Sequence, residues 1–146
     1  MTLYHREEDL IEALKPHLKA KTWIFFKGEP GVGKTTFSKS LGVLFGIDQT
    51  QIQSPTFTLL NYYTPSHTFD LILHFDFYRL KEIEELDYLG LEDYFQTNFL
   101  ALVEWSERFT EMEWKAFFSK RNLPFQVISL EIKYDGENTR RYLLSL

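Results

Sequence analysis

No cysteine occurs among the 146 residues, which excludes disulfides, thiolate catalysis and a Cys-ligated zinc site. The four histidines, at positions 5, 17, 67 and 74, are too scattered to suggest a metal cluster. No run of 18 apolar residues exists, and the start Tyr4-His5-Arg6-Glu7-Glu8-Asp9 lacks the apolar core of a signal peptide. A cytoplasmic protein with no membrane contact is expected. Positive charge is scarce: 16 Lys and Arg stand against 21 Asp and Glu, a net charge of −5. The tightest basic groups are Lys120-Arg121 and Arg140-Arg141, so strong independent nucleic-acid binding is not expected. What the chain has in quantity is apolar material, 44% of its residues with 17% aromatic, enough to fill the core of a single domain spanning residues 1–146.

Residues 28–35 read Gly28-Glu29-Pro30-Gly31-Val32-Gly33-Lys34-Thr35 and fit the phosphate-binding pattern Gly-x-x-x-x-Gly-Lys-Ser/Thr at every fixed position. The glycines let successive backbone N–H groups turn inward toward phosphate oxygens, and Lys34 supplies a mobile charge for the outer phosphates. Thr35 places a hydroxyl where Mg²⁺ would sit, and a helix starting here aims its positive end at the same anion. Candidate nucleotide-binding residues in the loop are Glu29, Pro30, Gly31, Val32, Gly33, Lys34, Thr35 and Thr36. The β-branched and aromatic run Thr22–Phe26 precedes the motif, and apolar residues at 37, 41, 44 and 45 follow it, giving strand, loop and amphipathic helix in order. A simple Gly-rich turn would need neither Lys34 nor Thr35.

The rest of the chain alternates between helix and strand signals without repeats. Leu10, Ile11, Leu14 and Leu18 form a helical stripe that Pro16 should end or kink. Strands are expected at 22–26, 56–63, 69–75 and 99–103, short helices at 81–86 and 91–95, and a further helix around Trp114, Phe117 and Phe118. Apolar residues at 128, 130 and 132 alternate with polar ones, and Asp135-Gly136-Glu137-Asn138 makes a turn into residues 140–146. These signals predict an α/β fold of the P-loop NTPase kind: a mixed sheet flanked by helices, ending in an antiparallel hairpin.

Two acids close apolar strands, Asp76 after Leu71–Phe75 and Glu104 after Phe99–Val103. Ligands of open α/β sheets collect at the carboxyl ends of strands, so either acid could join a magnesium shell or orient water. Lys34, Glu104 and Asp76 are therefore the candidate catalytic residues, and Thr35, Glu104 and Asp76 the candidate metal ligands. Each acid alone could equally open a loop or cap a helix. Likewise Ser54-Pro55 reads as an ordinary approach to a strand, Trp105 and His74 as core residues, and Arg79 as one half of an ion pair.

Five short motifs in fixed order make the chain resemble the bacterial tRNA threonylcarbamoyladenosine biosynthesis ATPases, the TsaE family. They are the loop at 28–35, Ser54-Pro55-Thr56-Phe57, His74-Phe75-Asp76-Phe77-Tyr78-Arg79-Leu80, Gly90-Leu91-Glu92-Asp93-Tyr94 and Glu104-Trp105-Ser106-Glu107-Arg108. The resemblance implies ATP and Mg²⁺ as cofactors and slow ATP hydrolysis by the isolated protein. It implies TsaB and TsaD as partners, with tRNA reached through their complex and hydrolysis resetting that complex between turnovers. It further implies Thr56 as a γ-phosphate sensor and Trp105 as a neighbour of the nucleotide, with Glu107 a less certain member of the site. Where the family usually has Asp-Leu-Gly-Ala, this chain has Glu29-Pro30-Gly31-Val32, and Pro30 removes one amide donor. The Ser and Thr usual in the N-terminal helix are not recognisable in Arg6-Glu7-Glu8-Asp9-Leu10, and residues 109–125 diverge more than their neighbours. A small-molecule kinase and a nucleotide-dependent binding module are the alternatives, although no Arg-rich lid is evident. The Asn-Lys-x-Asp guanine-recognition sequence is absent, which favours ATP over GTP.

Overall fold

A computed structural model describes residues 1–146. The elements in chain order are β1 (Thr2–Tyr4), α1 (Glu7–Leu14), β2 (Thr22–Lys27), α2 (Lys34–Leu44), β3 (Leu60–Tyr63), β4 (Leu71–Asp76), α3 (Glu92–Phe95), β5 (Phe99–Glu104), α4 (Glu111–Lys120), β6 (Val127–Tyr134) and β7 (Arg140–Ser145). All seven strands join one sheet in the order β1-β7-β6-β2-β5-β4-β3. The inner four, β6, β2, β5 and β4, run parallel, and each edge is finished by antiparallel pairing. The mixed α/β sheet and the C-terminal hairpin are as the periodicities require. No helix is long and apolar enough to cross a membrane.

Strand parity divides the core. In the central strands, Ile24, Phe26, Ile72, Leu100 and Leu102 face one side, where Leu10 and Leu14 of α1 and Phe37 and Leu41 of α2 cover them. Trp23, Phe25, Leu73, Phe75, Ala101 and Val103 face the other side and pack on Phe95 of α3 and on Trp114, Phe117 and Phe118 of α4. That second layer is a cluster of aromatic rings. Trp23 is fully buried, and the rings of Phe75, Phe95, Phe99, Trp114, Phe117 and Phe118 lie within 5.1–6.0 Å of its own.

Two local features differ from the sequence expectations and one follows them. The strand expected at 56–63 begins only at Leu60, because residues 56–58 form a turn and Leu59 has φ of 70°. Pro16 ends the first helix as expected: it sits in a 3-10 turn, Lys15–His17, and α1 stops at Leu14. The three residues of β1 were not foreseen; they pair with β7 in the register Thr2↔Leu144 to Tyr4↔Tyr142. A three-residue strand is too short to display a period.

Candidate nucleotide site

The phosphate-binding loop leaves β2 at Lys27 and runs into α2 at Lys34. Gly28 has φ of 150°, and a Cβ there would approach Ile132 O to 2.6 Å and Val32 Cγ1 to 2.8 Å, so the loop base lies too close to β6 for a side chain. Gly33 has φ of 121°, and beyond its chain neighbours no atom lies within 4 Å of where its Cβ would be. Open space therefore fronts the start of α2, which has no side-chain cap. The first N–H groups of a helix lack intrahelical acceptors and carry the positive end of its dipole, so this opening suits an anion. The C-terminal hairpin braces the loop from behind: Tyr134 Oη donates to Gly31 O at 3.1 Å and Arg140 Nε to Val32 O at 2.7 Å.

In front of the loop lies a cavity of about 310 Å³ with a mainly polar lining. Lys34 is 7% exposed, its Nζ donating to Gly28 O at 2.8 Å and lying 5.0 Å from the centre of the Trp105 ring. An ammonium has three donors, so an anion in the cavity would complete the set that one carbonyl begins. Trp105 adopts left-handed backbone angles, φ 63° and ψ 35°, and packs on Tyr78 with ring centres 4.9 Å apart. For a bulky side chain this geometry costs roughly 1–2 kcal/mol and commonly marks a functional turn.

The two strand-end acids stand side by side across the cavity. Asp76 pairs in register with Glu104 between β4 and β5, and each residue is 4% exposed. Their even numbers place them on the α2 side of the sheet, with Ile72 and Leu102. Asp76 Oδ1 accepts the Tyr78 N–H at 2.9 Å and Oδ2 accepts the Thr56 hydroxyl at 3.0 Å. Glu104 takes both of its side-chain bonds on Oε2, from Ser54 Oγ at 3.3 Å and from His74 Nε2 at 3.0 Å. Ser54 and Thr56 also bond to each other at 3.1 Å, so one exposed loop touches both acids.

Of the residues singled out in the sequence, Pro30, Gly31, Gly33, Lys34, Thr35, Thr36, Thr56, Asp76, Glu104 and Trp105 all border this cavity. Two loop positions do not. Val32 buries its side chain beneath the loop, and Glu29 borders a neighbouring depression with Glu131, Lys133 and Tyr134, so their side chains lie elsewhere. Glu107 also lies outside, and Arg79 stacks over the Phe57 ring at 4.6 Å instead of pairing with an acid. Sequence reasoning missed Ser54 as a cavity residue and the bond from His74 to Glu104. A signal for His74 existed: two residues before Asp76 on one strand means the same face.

The residues present fit a triphosphate with magnesium. Two carboxylates and a hydroxyl are too few to cage a metal unaided, and Mg²⁺ typically uses one or two carboxylates together with phosphate oxygens and water.

Comparison with known proteins sets these features in a family. The profile described as "Threonylcarbamoyl adenosine biosynthesis protein TsaE" matches residues 4–142. The chain is 42% identical over 96 residues to the tRNA threonylcarbamoyladenosine biosynthesis protein TsaE of Haemophilus influenzae, a stretch covering 65% of this chain and 58% of that protein. It is 36% identical over 143 residues to the protein of the same name from Rickettsia bellii, covering 95% of this chain and 90% of that one. The fold is shared with a crystal structure of Bacillus subtilis YdiB, at a TM-score of 0.56 and 23% identity, covering 97% of this chain and 80% of the other. A profile match across nearly the whole length, with relatives above 30% identity, shows that the chain belongs to the TsaE family.

Proposed function

We propose that this chain is an ATP-binding and ATP-hydrolysing accessory protein of tRNA threonylcarbamoyladenosine biosynthesis. It acts with TsaB and TsaD, and its hydrolysis of ATP resets their complex between turnovers. The observation that carries the reading is one polar cavity bordered by an uncapped helix start, the buried Lys34 and the paired acids Asp76 and Glu104.

Within that cavity Lys34 holds the β and γ phosphates, and the loop amides bind the phosphate oxygens between them. Thr35 and Glu104 would hold the magnesium, which would offset phosphate charge. Both oxygens of Asp76 already accept protein donors, whereas Glu104 Oε1 accepts none. Glu104 is thus the acid with an oxygen free to hold the metal, and Asp76 would hold the Thr56 hydroxyl beside it. Trp105 closes one side of the cavity against the nucleotide.

A metabolite kinase would need basic residues over the phosphates. Arg79 lies over Phe57, and Arg108 donates to Tyr78 O at 3.0 Å through Nε. The test is reconstitution of tRNA modification with TsaB, TsaD and a threonylcarbamoyl donor, with and without this chain. Multiple turnovers that require the chain and ATP are expected; turnovers independent of it would defeat the proposal.

A further inference from the structure

His74 is fully buried on β4, in register with Asn61 of β3 and Leu102 of β5. Its Nε2 lies 3.0 Å from Glu104 Oε2, and its Nδ1 is buried with no partner. Only one placement of the ring hydrogen suits these surroundings. A hydrogen on Nδ1 would leave a buried N–H unpaired and turn the Nε2 lone pair against a carboxylate oxygen. A hydrogen on Nε2 makes the bond and leaves only a bare acceptor buried.

The structure assigns His74 the role of positioning residue for the magnesium ligand: its Nε2–H pins Glu104 Oε2 so that Oε1 is the oxygen turned toward the cavity. A carboxylate without such a donor can exchange its two oxygens by rotation and present either of them. Ser54 also bonds Oε2, at 3.3 Å, but it belongs to an exposed loop. His74 sits inside the sheet with both neighbouring strands hydrogen-bonded to its own, so its bond does not depend on where that loop lies. Ligand orientation by a hydrogen-bonded neighbour is a general feature of metal sites, and losing the neighbour typically weakens metal binding about 10–100-fold.

The inference rests on reading Glu104 as a magnesium ligand, and the experiment separates the two. Binding of a slowly hydrolysed ATP analogue is measured by calorimetry in EDTA and across a magnesium series for the wild type, His74→Phe, His74→Gln and Glu104→Gln. In His74→Phe, metal-free nucleotide affinity is expected to stay within about twofold of wild type while the magnesium requirement rises about tenfold or more. His74→Gln, whose amide can donate from a similar position, is expected to restore most of that loss. An unchanged magnesium requirement in His74→Phe overturns the assignment if Glu104→Gln raises it. If Glu104→Gln has no effect either, the reading of Glu104 fails as well. A second measurement needs no folded His74→Phe: long-range ¹H–¹⁵N spectra of the wild-type protein, with His74 identified by its loss in His74→Gln. An Nε2–H pattern is expected, and an Nδ1–H pattern overturns the assignment.

Discussion

At the scale of single residues, the site depends on a few side chains that each have a narrow task. Lys34 is the buried cation of the phosphate loop, so Lys34→Ala is expected to reduce ATP affinity by about tenfold or more, as loss of a charge-assisted hydrogen bond worth ~1.5–3 kcal/mol implies. Equilibrium binding measures this, and an unchanged circular dichroism spectrum separates it from unfolding. Trp105 offers a second readout. Trp23 and Trp114 are buried in the opposite aromatic layer, whereas Trp105 borders the cavity with Lys34 Nζ 5.0 Å from its ring. A change in tryptophan emission on adding ATP and magnesium is expected in the wild type and absent in Trp105→Phe. The phosphate loop was legible because its chemistry lies in consecutive residues. The partnership of Ser54, His74 and Glu104 was not, since it forms only when a loop and two strands meet.

At the scale of elements, local hydrogen bonds decide where helices begin. α4 starts with a reciprocal cap: Thr110 Oγ1 accepts the Glu113 N–H at 3.2 Å and Glu113 Oε2 accepts the Thr110 N–H at 2.7 Å. Thr110→Ala is expected to cost about 1 kcal/mol in chemical denaturation. The 3-10 turn at Ile83–Leu89 has a similar start, where Glu85 Oε2 accepts the N–H groups of Glu82 and Lys81 at 2.8 and 2.7 Å. Those bonds, the one from Glu82 foremost, hold the Glu85 carboxyl below its ordinary value of 4.5. The stability it adds is therefore present above pH 4.5 and lost as pH falls through the lower folded value. Glu85→Gln should flatten the fall in melting temperature below that pH, and an unchanged acid limb would contradict this. Periodicity located β2, β4, β5, β6 and β7 because each spans six or more residues. It overextended β3, whose Thr56-Phe57-Thr58 approach folds as a turn with two hydroxyls committed to side-chain bonds, Thr56 to Asp76 and Thr58 to Asn61.

At the scale of the whole molecule, the sheet separates the aromatic core from the candidate site. The aromatic layer beneath α4 carries much of the packing, while Lys34, Asp76 and Glu104 gather with α2 on the other face. Trp23→Ala is expected to cost about 3–5 kcal/mol in unfolding free energy, with ATP affinity of the remaining folded protein little changed. A parallel loss of affinity at temperatures well below melting would show that the faces are coupled. The α/β alternation and the final hairpin were readable from the sequence, whereas strand order was not, because periodicity says which face is buried and nothing about which neighbour is adjacent. The pairing of Thr2–Tyr4 with Arg140–Ser145 bears on how the protein is made. On the ribosome, the first strand has no partner until the last one has emerged. That edge of the sheet is therefore sealed only after residues 140–145 have emerged, and Tyr134 and Arg140, which brace the phosphate loop, arrive only shortly before. A nascent chain thus carries the complete phosphate-binding sequence well before it has the support that holds it in shape.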